Sequence, residues 1–258
     1  MNNNLFKIEK DKLIYFVSEG LSDLGFVKHF FSTRVGGVST GNYSSLNLGL
    51  YTEDDNEKIK LNFKKIFETA DMNMDKLVFL KQVHGDQFYV VSNGNYSSVV
   101  ESSGDAIITG EKGIPIGIFT ADCAPILLVD KENKLIAAVH AGWKGTYLKI
   151  AERVLNHMFA NMGTNPVNVL AVIGPSIGPC CFEVKEDVAD KFEFTVKRNN
   201  KIYVDLWKEN RKQLLNMGLL EKNIAIANLC TYCNNDLFYS YRRDNGNTGR
   251  LAAFIEIV

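Results

Sequence analysis

A single α/β domain is the fold class this 258-residue sequence predicts, and three observations carry the prediction. Residues 105–145 hold three apolar runs separated by the turn signals GEKG and DKEN, which read as central strands of a sheet. Segments 54–70 and 146–162 repeat apolar residues at helical spacing, so helices alternate with strands. The hydrophobic fraction is 46%, with 16 Phe and 10 Tyr, enough to build a core without disulfides or a structural metal.

In chain order, residues 13–16 and 27–32 cluster aromatic and β-branched side chains and predict short strands. RVGGVSTGNYSSLNLG, residues 34–49, predicts a Gly/Ser-rich loop whose backbone can approach a ligand and whose amides can cradle an anion. A plain surface loop accounts for the same composition. The 54–70 helix presents Ile59, Phe63, Ile66 and Phe67 on one face behind acidic capping residues. Residues 77–82 and 87–91 predict strands flanking a VHGD turn, with Gly85 supplying a positive φ and His84 at the strand end. The 146–162 helix is followed by a strand at 169–173 and the Gly/Pro-rich turn GPSIGPCCFEV. Helices are expected at 186–194 and 206–217, the second capped at Asp205. The end, 236–258, reads as a strand, an Arg-rich loop and a last strand.

Lys and Arg total 29 against 30 Asp and Glu, so no global positive field collects nucleic acid or acidic membrane. A small-molecule partner is favoured. The longest apolar stretches, such as 114–119 and 135–139, fall far short of the roughly 20 residues of a membrane helix. No stretch of signal-peptide length opens the chain, so a cytoplasmic location is expected. There, five cysteines point to metal binding or reactivity rather than a disulfide framework.

The four histidines are His29, His84, His140 and His157. His157 fits a surface position near a helix end and His29 fits packing within its strand. Asp122, Cys123 and His140 interrupt apolar sequence, where unpartnered polar groups cost several kcal/mol. A zinc ion takes N and S ligands tetrahedrally, and catalytic sites keep three protein ligands and one open position. His84, Cys123 and His140 meet that requirement. Their separations, 39 and 17 residues, exceed a local zinc finger and suit ligands from the ends of neighbouring strands. A buried cysteine with two hydrogen-bonded histidines is the bland reading of the same residues. CTYC, with Cys230 and Cys233, has zinc-knuckle or redox spacing; joined by Cys180 and Cys181 it would make a competing structural site of four thiolates. Anion-holding candidates are Arg34, Lys144, Arg242, Arg243 and Arg250, although Asp244 could simply pair an arginine of YSYRRD.

In order along the chain stand GGVS and LNLG, KQVHG, GDAIIT, TADCAPILL, HAGWKGT, IGPSIGPCCFEV and YSYRRD with a final GR. Together they resemble the multicopper polyphenol oxidase, or laccase-domain, family, some members of which are reassigned as purine nucleoside phosphorylases. The resemblance spans almost the whole chain as one catalytic domain, 1–258. It implies an α/β sandwich of mixed sheets flanked by helices, similar to a bacterial toxin cysteine deamidase. The family's metal ligands map onto His84, Cys123 and His140, with zinc as the ion and copper as the alternative that the oxidase name implies. Four histidines cannot supply the several His-rich sites of a multicopper oxidase, so laccase chemistry is discounted.

The resemblance further implies phosphorolysis of adenosine, inosine and methylthioadenosine, with adenosine deamination. Purine nucleosides and phosphate are then the small-molecule partners, and oligomeric state stays open. Candidate roles are Arg34 and its loop for phosphate, Asp122 as proton shuttle, and Arg34, Asn47, Gln82 and Lys144 in substrate binding. One alternative makes Cys123 a nucleophile activated by His140, hydrolysing peptide or cell-wall precursor amides. The other is a non-enzymatic binding module whose zinc shell is closed by Cys180, Cys181 or Cys230.

Overall fold

The computed structural model describes residues 5–258. Two large sheets organise it. The first is antiparallel, in the order β1 (Leu5–Lys10), β2 (Leu13–Ser18), β3 (Val27–Ser32), β14 (Leu251–Ile257) and β6 (Ile116–Thr120). The second runs β13 (Ile224–Ile226), β9 (Val169–Ile173), β7 (Ala124–Asp130), β8 (Leu135–Ala141), β5 (Ala106–Thr109) and β4 (Phe88–Val91). Its outer pairs are parallel and its inner pairs antiparallel, so it is mixed. A small antiparallel sheet joins β10 (Glu183–Val184), β12 (Lys201–Val204) and β11 (Thr195–Arg198). The helices are α1 (Glu19–Ser22), α2 (Asn56–Thr69), α3 (Tyr96–Val99), α4 (Trp143–Tyr147), α5 (Ile150–Met162), α6 (Glu186–Ala189) and α7 (Leu206–Asn216).

Side-chain alternation along the strands builds four layers. On β7, Leu127 and Val129 join Ile116, Ile118, Ala253 and Ile255 in the core between the two sheets. Ala124, Ile126 and Leu128 face the other way, against Val154, Leu155 and Met158 of α5 and Leu214 of α7. On the outer face of the first sheet, Phe30, Phe119 and Phe254 pack on Ile59, Phe63, Ile66 and Phe67, the four residues predicted for one face of α2. This is the expected sandwich of sheets flanked by helices.

Several elements differ from expectation for local reasons. The middle apolar run is two strands in different sheets, β6 and β7, broken at Asp122, which holds φ 94°. Residues 77–82 pair only through isolated bridges at Val78 and Lys81, because the Gln82 side chain takes over the pairing with Phe119. The 146–162 helix is interrupted by Lys149 in the left-handed region, leaving α4 and α5. The 186–194 helix is a single turn, α6, and no strand forms at 236–239. β1, β13 and the β11–β12 hairpin were not anticipated, although Asn199 and Asn200, both at positive φ, are residues that favour a two-residue hairpin turn.

His29 is a buried acceptor in β3, taking the Ser18 amide at 2.8 Å on Nε2. Burial pushes its pKa down to about 4. The unfolded chain, titrating near 6.5, then binds the extra proton. Stability is complete above about pH 6.5 and falls towards pH 4, by about 2 kcal/mol between pH 7 and pH 5. Urea denaturation at those two pH values should show this loss in the native chain and a smaller one in His29→Gln. An equal slope in both would exclude His29 as its source.

Candidate metal centre

The break between β6 and β7 places Cys123 where the chain crosses from one sheet to the other. His140 lies on the neighbouring strand β8, where its partner in register is Pro125. His84 comes from the loop before β4 and holds φ 59°, so the positive φ expected of Gly85 falls on the histidine. The ligand atoms of the three residues lie within 4.8 Å of one another. Backbone strain at such a position calls for surrounding structure that holds it.

Asp105, just before β5, supplies that structure. It is fully buried, and its carboxylate accepts the amides of Val83, His84 and Gly85 at 3.3, 2.9 and 2.7 Å. The same carboxylate accepts His140 Nδ1 at 2.8 Å. This fixes the imidazole tautomer and leaves Nε2 to face Cys123 and His84, an outer-shell arrangement typical of metal-bound histidine. Asp105 went unnoticed as a functional residue in the sequence. Its one signal is a carboxylate placed directly before an apolar strand.

Burial opposes ionisation of Cys123, but the His140 charge and hydrogen bonds from His140 and His84 bring its pKa down to about 6. Burial likewise opposes a charge on His140, yet Cys123 and Asp105 push its pKa up to about 9. The metal-free site therefore favours a thiolate paired with a protonated imidazole: Cys123 has the form that a metal needs, and His140 gives up a proton when one binds. Two imidazoles, one thiolate and spacing compatible with bonds of about 2.0–2.3 Å fit a single borderline-soft ion. Gly142 is part of the fit: a Cβ there would stand 2.8 Å from Cys123 Sγ and 3.3 Å from His84 Cδ2.

The triad opens on a cleft of about 570 Å3. Tyr51, Phe119, Trp143, Ile177, Phe182 and Tyr241 supply its apolar walls, and Arg242 and Arg250 its cationic side. Arg242 is anchored through Nη1 on the Glu183 carbonyl at 2.7 Å, and Arg250 on the Thr248 carbonyl at 2.8 Å.

The other candidate residues fall elsewhere or work indirectly. Arg34 does not line the cleft; its guanidinium holds the carbonyls of Ser44 and Asn235 and lies 4.7 Å over the Tyr239 ring. The 34–49 loop is not an open anion cradle, because Ser45 Oγ takes the amides of Gly36 and Gly37 and Asn62 takes that of Val38. Asn47 is fully buried and accepts the amides of Gly49 and Arg250, so it shapes the cleft from behind rather than touching a ligand. Gln82 lines the cleft, but its amide grips both backbone groups of Phe119 at 2.7 Å. Lys144 is exposed on α4, away from the cleft lining. Asp122 lines the cleft, yet its carboxylate is occupied by Thr231, Ser240 and the Arg242 amide at 2.6, 3.0 and 2.7 Å. Those contacts suit a positioning role rather than a proton shuttle. Arg243 pairs with Asp244 at 2.8 Å. Cys180, Cys181 and Cys230 group with Cys233, not with the triad, so among the described residues they do not close the shell.

Comparison with known proteins gives the family and the fold. The purine nucleoside phosphorylase of Bacteroides thetaiotaomicron is 36% identical over 98% of this chain and 99% of its own length. Purine nucleoside phosphorylase YfiH of Escherichia coli is 35% identical over 88% of this chain and 92% of its own. The crystal structure of YlmD from Geobacillus stearothermophilus superposes with a TM-score of 0.89 at 31% identity, covering 98% of this chain and 99% of that one. Residues 28–258 match the model of a family described as multi-copper polyphenol oxidoreductase laccase, and the chain belongs to that family.

Proposed function

We propose that this chain is a purine nucleoside phosphorylase acting as one catalytic unit, with zinc held by His84, Cys123 and His140 and copper as the alternative ion. The observation that carries this reading is the cleft: an open three-donor site at one end, aromatic walls, and two arginines within the same 570 Å3. Its size lies in the range of small-molecule sites. The names of the relatives supply the substrate class.

Trp143 and Phe182 offer aromatic surface for a purine. Arg250, half-buried in the cleft wall beside Cys123 and Asp122, can present phosphate to the ribose beside the metal site, with Arg242 as second cation. Asp122, the residue before the cysteine ligand, holds the Arg242 backbone in place. When bound, a divalent ion supplies Lewis acidity, polarising a substrate atom and acidifying water. The same site underlies adenosine deamination as the second activity, and adenosine, inosine and methylthioadenosine are the proposed substrates. A cytoplasmic setting would keep Cys123 reduced.

Free base and ribose 1-phosphate should appear from inosine only when phosphate is present; release that ignores phosphate would defeat the reading. Arg250→Ala should raise the phosphate KM about 10- to 100-fold, the loss of one charge-assisted contact of about 1.5–3 kcal/mol. Arg34→Ala should leave that KM unchanged. The reverse pattern would return phosphate binding to the 34–49 loop.

A second reading rests on Cys123, His140 and Asp105, which also form a nucleophile, base and orienting acid. In an amide hydrolase built on them, alkylating Cys123 would abolish turnover and a chelator would not. In the metal enzyme, zinc protects Cys123 from alkylation and chelation stops turnover.

A further inference from the structure

A second group of soft ligands lies apart from the triad. The four Sγ atoms of Cys180, Cys181, Cys230 and Cys233 lie within 4.8 Å of one another. Cys233 Sγ is 3.3 Å from that of Cys181 and 3.6 Å from that of Cys180. Thiolates at about 2.3 Å around a tetrahedral ion stand roughly 3.8 Å apart, so the observed spacing is close to that of one tetrahedral tetrathiolate. Cys180 and Cys181 both approach the same Cys233 sulfur, a convergence that pairwise disulfides do not account for. We infer that these four cysteines form a second, structural metal site, closed by protein on all four sides and suited to Zn2+.

The chain builds this site deliberately. Its two turns leave the adjacent parallel strands β9 and β13 and are tied together by a bridge between Ser176 and Cys230. The amide of Ser176 donates to the Leu229 carbonyl and that of Thr231 to the Ser176 carbonyl. The Gly178 amide donates to Cys230 Sγ at 3.3 Å, an outer hydrogen bond that metal thiolates commonly receive. A zinc ion with four thiolates carries a double negative charge, and each turn has a guanidinium fastened to it. Arg198 binds the carbonyls of Pro179 and Cys180 at 3.0 and 2.9 Å. Arg243 binds those of Thr231 and Tyr232 at 2.9 and 3.3 Å. Arg198 is positioned to offset the anionic cluster, while Arg243 ties its turn in place and shares its charge with Asp244.

Its purpose follows from what the turns carry. Thr231, inside CTYC, donates to Asp122 beside the ligand Cys123. Ile177 donates its amide to the Asp122 carbonyl, and Ile177 and Phe182 flank the cysteine pair and wall the cleft. The ion would staple one wall of the cleft to the joint that presents the cysteine ligand. It takes no substrate, and it stands whether or not the phosphorolysis reading survives.

The test is metal content of full-length protein loaded with Zn2+ and dialysed. The native chain should hold about two ions, and His84→Ala with His140→Ala should hold about one. In that double variant, Co2+ should give the sulfur-to-metal charge-transfer absorption of a tetrathiolate. Cys230→Ser with Cys233→Ser should lose one ion and keep the other. A histidine double variant that binds no ion would overturn the inference even if the cysteine variant failed to fold. So would a disulfide among the four cysteines in protein purified under argon, or a cysteine variant that still holds two ions.

Discussion

Asp105→Ala should lower metal affinity about 10- to 100-fold and destabilise the metal-free chain by about 3–5 kcal/mol, the largest combined effect expected of any single substitution at the site. One carboxylate accepts the three amides that hold the 83–85 turn and the imidazole of His140. Removing it leaves several buried donors without an acceptor and releases both His84, held at φ 59°, and the His140 tautomer. The two losses are separable. Competition with a chelator reads the affinity, and urea denaturation of metal-free protein reads the stability. Asp105→Asn keeps the shape but offers one acceptor oxygen, so it should recover much of the stability and little of the affinity. Native-like affinity in Asp105→Ala would mean that the ligands hold themselves in place.

Gly142→Ala should do the opposite, weakening binding at the triad with little effect on the fold. Gly142 has φ −67° and ψ 173°, which alanine adopts freely. The added methyl, however, would press on Cys123 Sγ at 2.8 Å and approach His84 Cδ2 at 3.3 Å. Both ligands must shift, and active-site displacements of about 1 Å commonly cost about 100-fold in rate. Thermal unfolding of the metal-free variant should match the native chain, while metal content at the triad and phosphorolysis both fall. Undiminished binding would show a looser triangle than the one described.

The three candidate ligands could be picked out of the sequence because two imidazoles and a thiol stood out in apolar or glycine-flanked surroundings, and the fold brings them together. The helical face of α2 was legible because period 3.6 is a local property. What escaped notice depends on contacts between distant segments. Arg34 and Arg250 look alike in a string of letters. Only the fold turns Arg34 onto Tyr239 and sets Arg250 in the cleft. Asn47 and Gln82 lie in the expected neighbourhood, but Asn47 is occupied by the Gly49 and Arg250 amides and by Thr52 and Asp54, and Gln82 by the Phe119 backbone. The division of residues 114–129 between two sheets was invisible to hydropathy, because both halves are equally apolar and the break spans only residues 121–123.

That division has a thermodynamic consequence. Cys123 sits where that break releases the chain into β7, His140 reaches it from β8 and His84 from the loop before β4, so the triangle of candidate ligands exists only once the mixed sheet has assembled. An ion that binds the docked chain and not the unfolded one adds RT ln(1 + [M]/Kd), about 4 kcal/mol at a thousandfold excess over Kd. The melting temperature of the protein should therefore track free metal concentration, and metal starvation would shorten the lifetime of the folded chain as well as silence its chemistry.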